Sequence, residues 1–348
     1  MQGSPTPINR AAYALARRFL LVNKALLFTV ILAIVLSLES PIFFSWANAT
    51  NLMEQVAVLT IVAVAVTLVL GAGEIDLSVG AIVGLTGAVM AKLMWENGLP
   101  WEAAIPVGIL VGIACGLVNA SLISSIRIPP FIVTLATASL YTGILYIITN
   151  LVPVSVPIDF QFFGQGFIGP VPASFCVVVP ATAVIYLLAT RSVFGLHVVA
   201  LGGNPEAVRL AGISTTRLRL ALYGLVGAYC GVAGVILTAW SASAQVSAGS
   251  DLMLLVIAAV VIGGTPLSGG KTNVFGTFFG CVVIGMINNG LVLLGVNPNF
   301  QIIFQGMLIL AALVVDVQST RLLAALAQRE RIAAAAREAA FAEAPIEA

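Results

Sequence analysis

The chain alternates long apolar runs with short polar gaps. About ten runs of roughly 20 residues are visible, near 25–44, 52–72, 77–94, 103–123, 131–149, 171–190, 217–240, 252–263, 273–295 and 299–317. A helix of ~20 apolar residues matches the ~30 Å hydrocarbon core of a bilayer. A spanning backbone must satisfy its own hydrogen bonds, which selects helices here. The pattern predicts an all-α polytopic membrane protein, with about ten transmembrane helices (range eight to ten) in one bundle. The eighth run is short, and residues 158–170 read as a further re-entrant segment. The first run follows Arg17 and Arg18, and Ala47-Asn48-Ala49 resembles a signal-peptidase site. A signal h-region is only ~7–15 residues long, so the first run is expected to be an uncleaved helix.

Composition sharpens this picture. Of 348 residues, 60% are hydrophobic and 8% charged, too few charges to coat a water-soluble surface. Threading ten spans with the N-terminus inside leaves 14 of the 15 basic residues on the inner side and only Lys92 outside. The positive-inside rule then puts both termini in the cytoplasm. The expected organisation is a cytoplasmic segment 1–24, a transmembrane region 25–317 with a cytoplasmic loop at 191–216, and a cytoplasmic tail 318–348. A net charge of +1 names no nucleic-acid partner. Cys115, Cys176, Cys230 and Cys281 sit singly within apolar runs and fit no metal-ligand spacing or disulfide framework.

The spans carry little reactive chemistry. Gly264-Thr-Pro-Leu-Ser-Gly-Gly270-Lys271-Thr272 ends like a phosphate-binding loop. Five residues separate Gly264 from Gly270 where that loop needs four, and no βαβ unit surrounds it. Nucleotide binding on this chain is rejected, and no cofactor is expected on it. Glu54 and Asp251 map to outer ends, Glu74 and Asp76 to inner ends, so no charge is expected near the bilayer midplane. That argues against an ion-coupled carrier. His197 is the sole histidine, and no nucleophile or carboxylate pair shares a setting with it, so an enzyme is not supported.

Neutral polar residues inside the spans, Asn119, Thr134, Thr137, Asn288 and Asn289, form the candidate solute path. Their plain alternative is interhelical hydrogen bonding, worth ~0.6 kcal/mol on average. Glycines at 108, 112 and 116, at 224, 227, 231 and 234, and at 276 and 280 are spaced for close helix approach. In the loop 191–216, Asn204 suits a helix N-cap, Pro205 the first helical position, Glu206 the positive end and Gly212 the stop. A helix of about two turns is expected there. It is either a plain connector or a docking helix for a cytosolic partner.

Four stretches of the chain carry a resemblance. They are Gly73-Glu-Ile-Asp76-Leu-Ser-Val-Gly80; Ile128-Pro-Pro-Phe-Ile-Val-Thr134-Leu; Ala200-Leu-Gly202-Gly203-Asn204-Pro205-Glu206-Ala207-Val-Arg209-Leu-Ala-Gly212-Ile; and Ile257-Ala-Ala-Val-Val-Ile-Gly-Gly264-Thr through Asn288-Asn289-Gly290-Leu. In this order the chain resembles the permease subunit of ribose/xylose/arabinose-type sugar ABC importers, within the branched-chain amino acid/sugar permease superfamily. The resemblance implies a multi-pass permease of the bacterial inner membrane, paired with a second permease copy. It also implies cytosolic ATP-binding subunits that carry ATP and Mg, and a periplasmic sugar-binding protein. Residues Gly202, Gly203, Asn204, Pro205, Glu206, Ala207, Arg209 and Gly212 would match the region that contacts the ATPase. Such permeases often carry Glu-Leu-Asp before the Ile-Ala-Ala stretch. Met253, Leu254 and Leu255 stand there in this chain, with Asp251 upstream. The expected activity is monosaccharide import by alternating access. Amino acids or nucleosides are the alternative solutes, and a stand-alone channel or secondary carrier is the alternative class.

Overall fold

A computed structural model describes residues 24–297, 299–307, 310, 311, 314 and 318. The expected N-terminal segment 1–24 and tail 318–348 lie almost wholly outside the described residues. The elements are α1 (Lys24–Glu39), α2 (Trp46–Gly71), α3 (Val79–Trp95), α4 (Trp101–Ile126), α5 (Pro130–Thr149), β1 (Val154–Ser155), α6 (Ile158–Gln165), β2 (Phe167–Ile168) and β3 (Val171–Pro172). They continue with α7 (Ala173–Arg191), α8 (Val193–Gly203), α9 (Pro205–Leu210), α10 (Thr215–Trp240), β4 (Ser243–Ala244), α11 (Leu252–Ile262) and α12 (Val274–Leu293). Residues 299–307 are helical as well. Each apolar run therefore meets helix in the described residues. Six helices, α2, α4, α5, α7, α10 and α12, are long and apolar enough to cross a membrane, while α1, α3, α8 and α11 are shorter apolar helices.

Local chemistry sets the boundaries. The side chains of Ser45, Ser192, Ser214 and Asn273 cap α2, α8, α10 and α12 by accepting from backbone amides three residues on. Arg127 takes a left-handed conformation after α4, and the prolines at 129 and 130 start α5 with Pro130 at its first position. The two strand pairs, β1 with β4 and β2 with β3, are antiparallel and two residues long. They belong to the connections at one end of the bundle. That end, which also holds Trp95, Thr149 and Trp240, is the far end below, and the end with Gly71, Arg191 and Gly203 is the near end.

Alpha-helical glycines bring backbones into contact, as their spacing suggested. A Cβ on Gly112 would lie 2.2 Å from the Gly227 carbonyl oxygen, and one on Gly116 would lie 2.0 Å from that of Tyr223. Gly231 meets Ile109 in the same way. Residues pair in antiparallel order, so α4 and α10 form one continuous seam. Helix α11 meets α12 likewise at Gly263 with Gly276 and at Ala259 with Gly280. Of the six long helices α2 is the most enclosed, with Ile61 to Val66 fully buried. The expected re-entrant stretch 158–170 instead folds as α6 and a small hairpin. Gly164 packs on the Trp240 backbone and Gln165 Nε2 donates to the Trp240 carbonyl at 2.8 Å, so this stretch lies across the end of α10.

The main departure from expectation is the segment 72–78. It reads as a turn at the membrane face, but only Ala72 and Gly73 turn; residues 74–78 are non-helical chain running into the bundle, and α3 begins inside. Helix α3 has 17 residues, ~25 Å at 1.5 Å per residue, against 26 residues and ~39 Å for α4 and α10. At the other side, the chain after β4 turns inward. A Cβ on Gly80 would lie 2.1 Å from the Gly249 carbonyl oxygen, and one on Gly84 would lie 2.5 Å from that of Ala248. Helix α11 then continues to the near end. Residues 248 and 249 thus pack on the first turns of α3, while Glu74, Asp76 and Ser78 before α3 are buried among the helices. Irregular backbone at such depth is tolerated only in protein-covered settings.

Candidate functional site

Two places concentrate the chemistry: the near end around α9, and a cavity at the far end. At the near end the expected short helix is present. Asn204 Oδ1 accepts from the amides of Glu206 and Ala207 at 3.1 and 3.0 Å, and Pro205 holds the first position of α9. Gly212 ends the turn with φ of +79°, a conformation natural to glycine. Arg209 forms a bidentate pair with Glu206 (Nη2 to Oε1 2.6 Å, Nε to Oε2 3.1 Å). That hydrogen bond and charge hold the Glu206 carboxyl below its ordinary pKa and push the guanidinium further up. Both side chains are exposed, so the pair presents a charged, helical surface rather than a core contact.

The eight residues expected at this surface divide by position. Gly203, Asn204, Pro205, Glu206, Ala207, Arg209 and Gly212 are exposed. Gly202 instead faces the bundle. A Cβ there would lie 2.1 Å from the Gly71 carbonyl oxygen and 2.5 Å from the Gly270 amide nitrogen, and Gly269 meets Gly73 with equal closeness. The Gly270 amide donates to the Gly71 carbonyl at 2.9 Å. Three backbones, from the ends of α2 and α8 and from the α11–α12 loop, therefore touch with no side chain between them. Sequence reasoning read 192–203 as loop. It is helix α8, capped by Ser192, with Val198 and Leu201 buried.

Beside this junction, Arg219 of α10 donates through Nε to Glu74 Oε1 at 2.5 Å. Glu74 is 5% exposed and its Oε2 has no partner among the described residues. Two residues on, Asp76 is 1% exposed. Its Oδ1 accepts from the amide and hydroxyl of Ser78 at 2.8 and 2.6 Å. Asn119 Nδ2 donates to Ser78 Oγ at 2.8 Å, and Tyr141 donates to Asn119 Oδ1 at 3.1 Å. Asn119 lies seven residues from the end of α4, ~10 Å inside it. Asp76 is thus a charge within the bundle, correcting its expected place at the inner surface.

This network also takes in most of the candidate solute-path residues. Asn119 is committed to Ser78 and Tyr141. Thr134 Oγ1 accepts from the Leu77 amide at 3.1 Å and can donate to the Pro130 carbonyl at 3.0 Å. Thr137 is buried on the Thr134 carbonyl. Asn289 and Asn48 exchange reciprocal amide bonds of 2.8 and 3.0 Å between α12 and α2. These four residues are fully engaged in holding helices and the non-helical segment, which is the plain alternative noted for them. Asn288 differs. Its Oδ1 accepts from Gln305 at 3.1 Å, and the residue lines an open cavity.

That cavity holds about 340 Å³ between α2, α7, α10, α11 and α12 at the far end, a size at the lower end of small-molecule pockets. Val58, Leu59, Ile236, Leu255 and Ile284 form apolar walls. Polar groups come from Glu54 and Gln55 of α2, Ser174 of α7, and Ser247, Ser250 and Asp251 of the inward-turning chain before α11. Trp240, at the end of α10, is 49% exposed and is a hydrogen-bonding neighbour of Glu54. Sequence reasoning missed this set apart from Asn288. Glu54 and Asp251 lie about 200 positions apart and each read as a charge at the membrane edge. The usable signal was only that two carboxylates shared one side.

The comparisons agree with this architecture. Residues 48–313 match the family described as branched-chain amino acid transport system / permease component. The ribose import permease of Bacillus subtilis is 38% identical over 82% of this chain and 89% of its own length. Its counterpart from Escherichia coli K12 is 36% identical over 86% and 95%. The fructose import permease of Rhizobium meliloti is 36% identical over 79% of each chain. Among solved structures, an inward-facing ABC transporter of metal-chelate type aligns at a TM-score of 0.48 and 12% identity over 87% of this chain and 97% of that one. So loose a likeness assigns no detail. The family match covers most of the chain and the relatives nearly all of it, so the chain is a member of the branched-chain amino acid transport system permease family.

Proposed function

We propose that this chain is the membrane-spanning permease of an ATP-binding-cassette importer for a monosaccharide, acting by alternating access. The observation that carries this reading is the run of ribose and fructose import permeases at 36–38% identity over most of the chain. In this reading ten spans cross the inner membrane of a bacterium, with the near end and both termini in the cytoplasm. Two permease copies assemble with ATPase subunits, which bind ATP and Mg, and a periplasmic binding protein delivers the sugar.

The exposed helix α9 is then the foothold for the ATPase. Its motion passes along two routes. Gly202 bears on the Gly71 and Gly73 backbones, and Arg219, just after α9, holds Glu74. Both routes end on the segment 72–78. A ligand shifts such an equilibrium only through unequal affinity for its states, so the path holds sugar weakly and selectivity rests largely with the binding protein.

Reconstitution in proteoliposomes tests the reading. Uptake of radiolabelled ribose or fructose is expected only with the ATPase, ATP and the binding protein all present. Solute flux through this chain alone would mark a channel or secondary carrier instead, and uptake restricted to amino acids or nucleosides would redirect the substrate. Orientation is read independently by Asn97→Cys, which should react with an impermeant thiol reagent from the periplasmic side alone.

A further inference from the structure

We infer that the far-end cavity is a binding station, within a single permease chain, for an uncharged polyhydroxylated ring, and that its two carboxylates turn away anionic solutes. The inference rests on the sugar-permease reading and deepens it by assigning residues and a selectivity rule. Glu54 and Asp251 face one 340 Å³ space whose lining contains no Lys, Arg or His among the described residues. Asp251 begins α11 without capping it, so its acceptors stay available. Carboxylates accept from solute hydroxyls and repel another carboxylate or a phosphate. Near a protein surface that repulsion is several times larger than in bulk water.

A separate observation marks the space as built for a polar guest. Ser174 is 1% exposed, lines the cavity, and its Oγ has no hydrogen-bond partner among the described residues. A buried unpaired hydroxyl is unfavourable unless something arrives to pair with it. Trp240 supplies the third element. Its half-exposed indole offers a flat apolar face to the C–H side of a ring, while the carboxylates and Ser174 take the hydroxyls. This combination of aromatic face and convergent polar groups suits a pyranose or furanose.

The test uses the full-length chain co-purified with its ATPase subunits in nanodiscs, without the binding protein. Saturation-transfer NMR reads weak binding of D-ribose and D-fructose, and of D-riburonate, which keeps a furanose ring and carries a carboxylate at C5. Wild type should bind at least one of the two sugars, with riburonate at least about tenfold weaker. Glu54→Gln/Asp251→Asn should bring riburonate to within about threefold of the sugar, since the repelling charges are gone. Trp240→Ala should abolish the sugar signal and Trp240→Phe should retain it, with gel filtration confirming assembly of every variant. Equal binding of riburonate and sugar by wild type would overturn the inference. So would absence of sugar binding, or a sugar signal unchanged in Trp240→Ala. Uptake by the complete importer separates the two claims: ATP-driven sugar uptake without binding here leaves the permease reading standing and removes the station.

Discussion

Arg219→Gln tests how firmly the start of α10 is tied to the segment before α3. In the native chain Glu74 is 5% exposed, Arg219 is its ion-pair partner, and the Arg219 side chain is 22% exposed. Removing one member of a buried ion pair costs about 3–5 kcal/mol, because the other charge is left uncompensated. Partial access of water to Arg219 places this pair near the lower figure, about 3 kcal/mol. Glu74→Gln/Arg219→Gln removes both charges and leaves two amides of similar size, for a cost of about 1 kcal/mol. The double variant should therefore be about 2 kcal/mol more stable than Arg219→Gln alone, and the Glu74→Gln single completes the cycle that isolates the coupling. Buried thiols provide the assay. Cys115, Cys230 and Cys281 are free and buried, so a maleimide dye reports their exposure on heating in detergent. At ~2–4 °C per kcal/mol, the single variant should melt several degrees below the double. If Arg219→Gln melts at or above the double variant, the pair does not hold the segment as described.

Other expectations follow from the same contacts. Gly112→Val forces a side chain onto the Gly227 carbonyl and should abolish a monodisperse gel-filtration peak, whereas Gly143→Val, with nothing within 4 Å, should leave it intact. Asn204→Ala removes the α9 cap, worth ~1 kcal/mol, and should speed amide exchange over residues 205–210 about fivefold and lower transport more than membrane insertion. Asn204→Ser should restore both. The Glu206 carboxyl is lowered by Arg209, so the pair's contribution is complete above the ordinary carboxylate pKa and fades as pH falls through the depressed value. Exchange in α9, corrected for its intrinsic pH dependence, should therefore stay level down to about pH 4. Acceleration at pH 6 would refute the pairing.

The helices were legible because each apolar run carries its own signal, and α9 because its cap, proline, acid and glycine are all local. The glycine seam between α4 and α10 was legible as a tendency to close contact, while its pairing needed the fold. What failed was depth. Glu74-Ile75-Asp76 looks like a loop, and loops belong at membrane faces unless protein covers them. Nothing in the local sequence says that α4, α5 and α10 supply that cover. The partners of the candidate solute-path residues were hidden for a related reason. Asn119 and Thr134 are neutral and polar, as a sugar path requires, but their hydrogen bonds are already spent on Ser78 and Leu77, partners that lie 41 and 57 positions away.

Side chains absorb displacement by changing rotamer, as springs do in a mechanism. Where Gly202, Gly71, Gly73, Gly269 and Gly270 meet, there are none to bend, and carbonyl and amide bear directly on one another. In the proposed reading, a shift imposed on α9 arrives at Glu74 with little lost travel, as through a rigid cam. The same stiffness forbids repair by neighbours: a methyl added at Gly202 or Gly269 would press on backbone at 2.6 Å or less, where no rotamer can give way, and the linkage jams or parts.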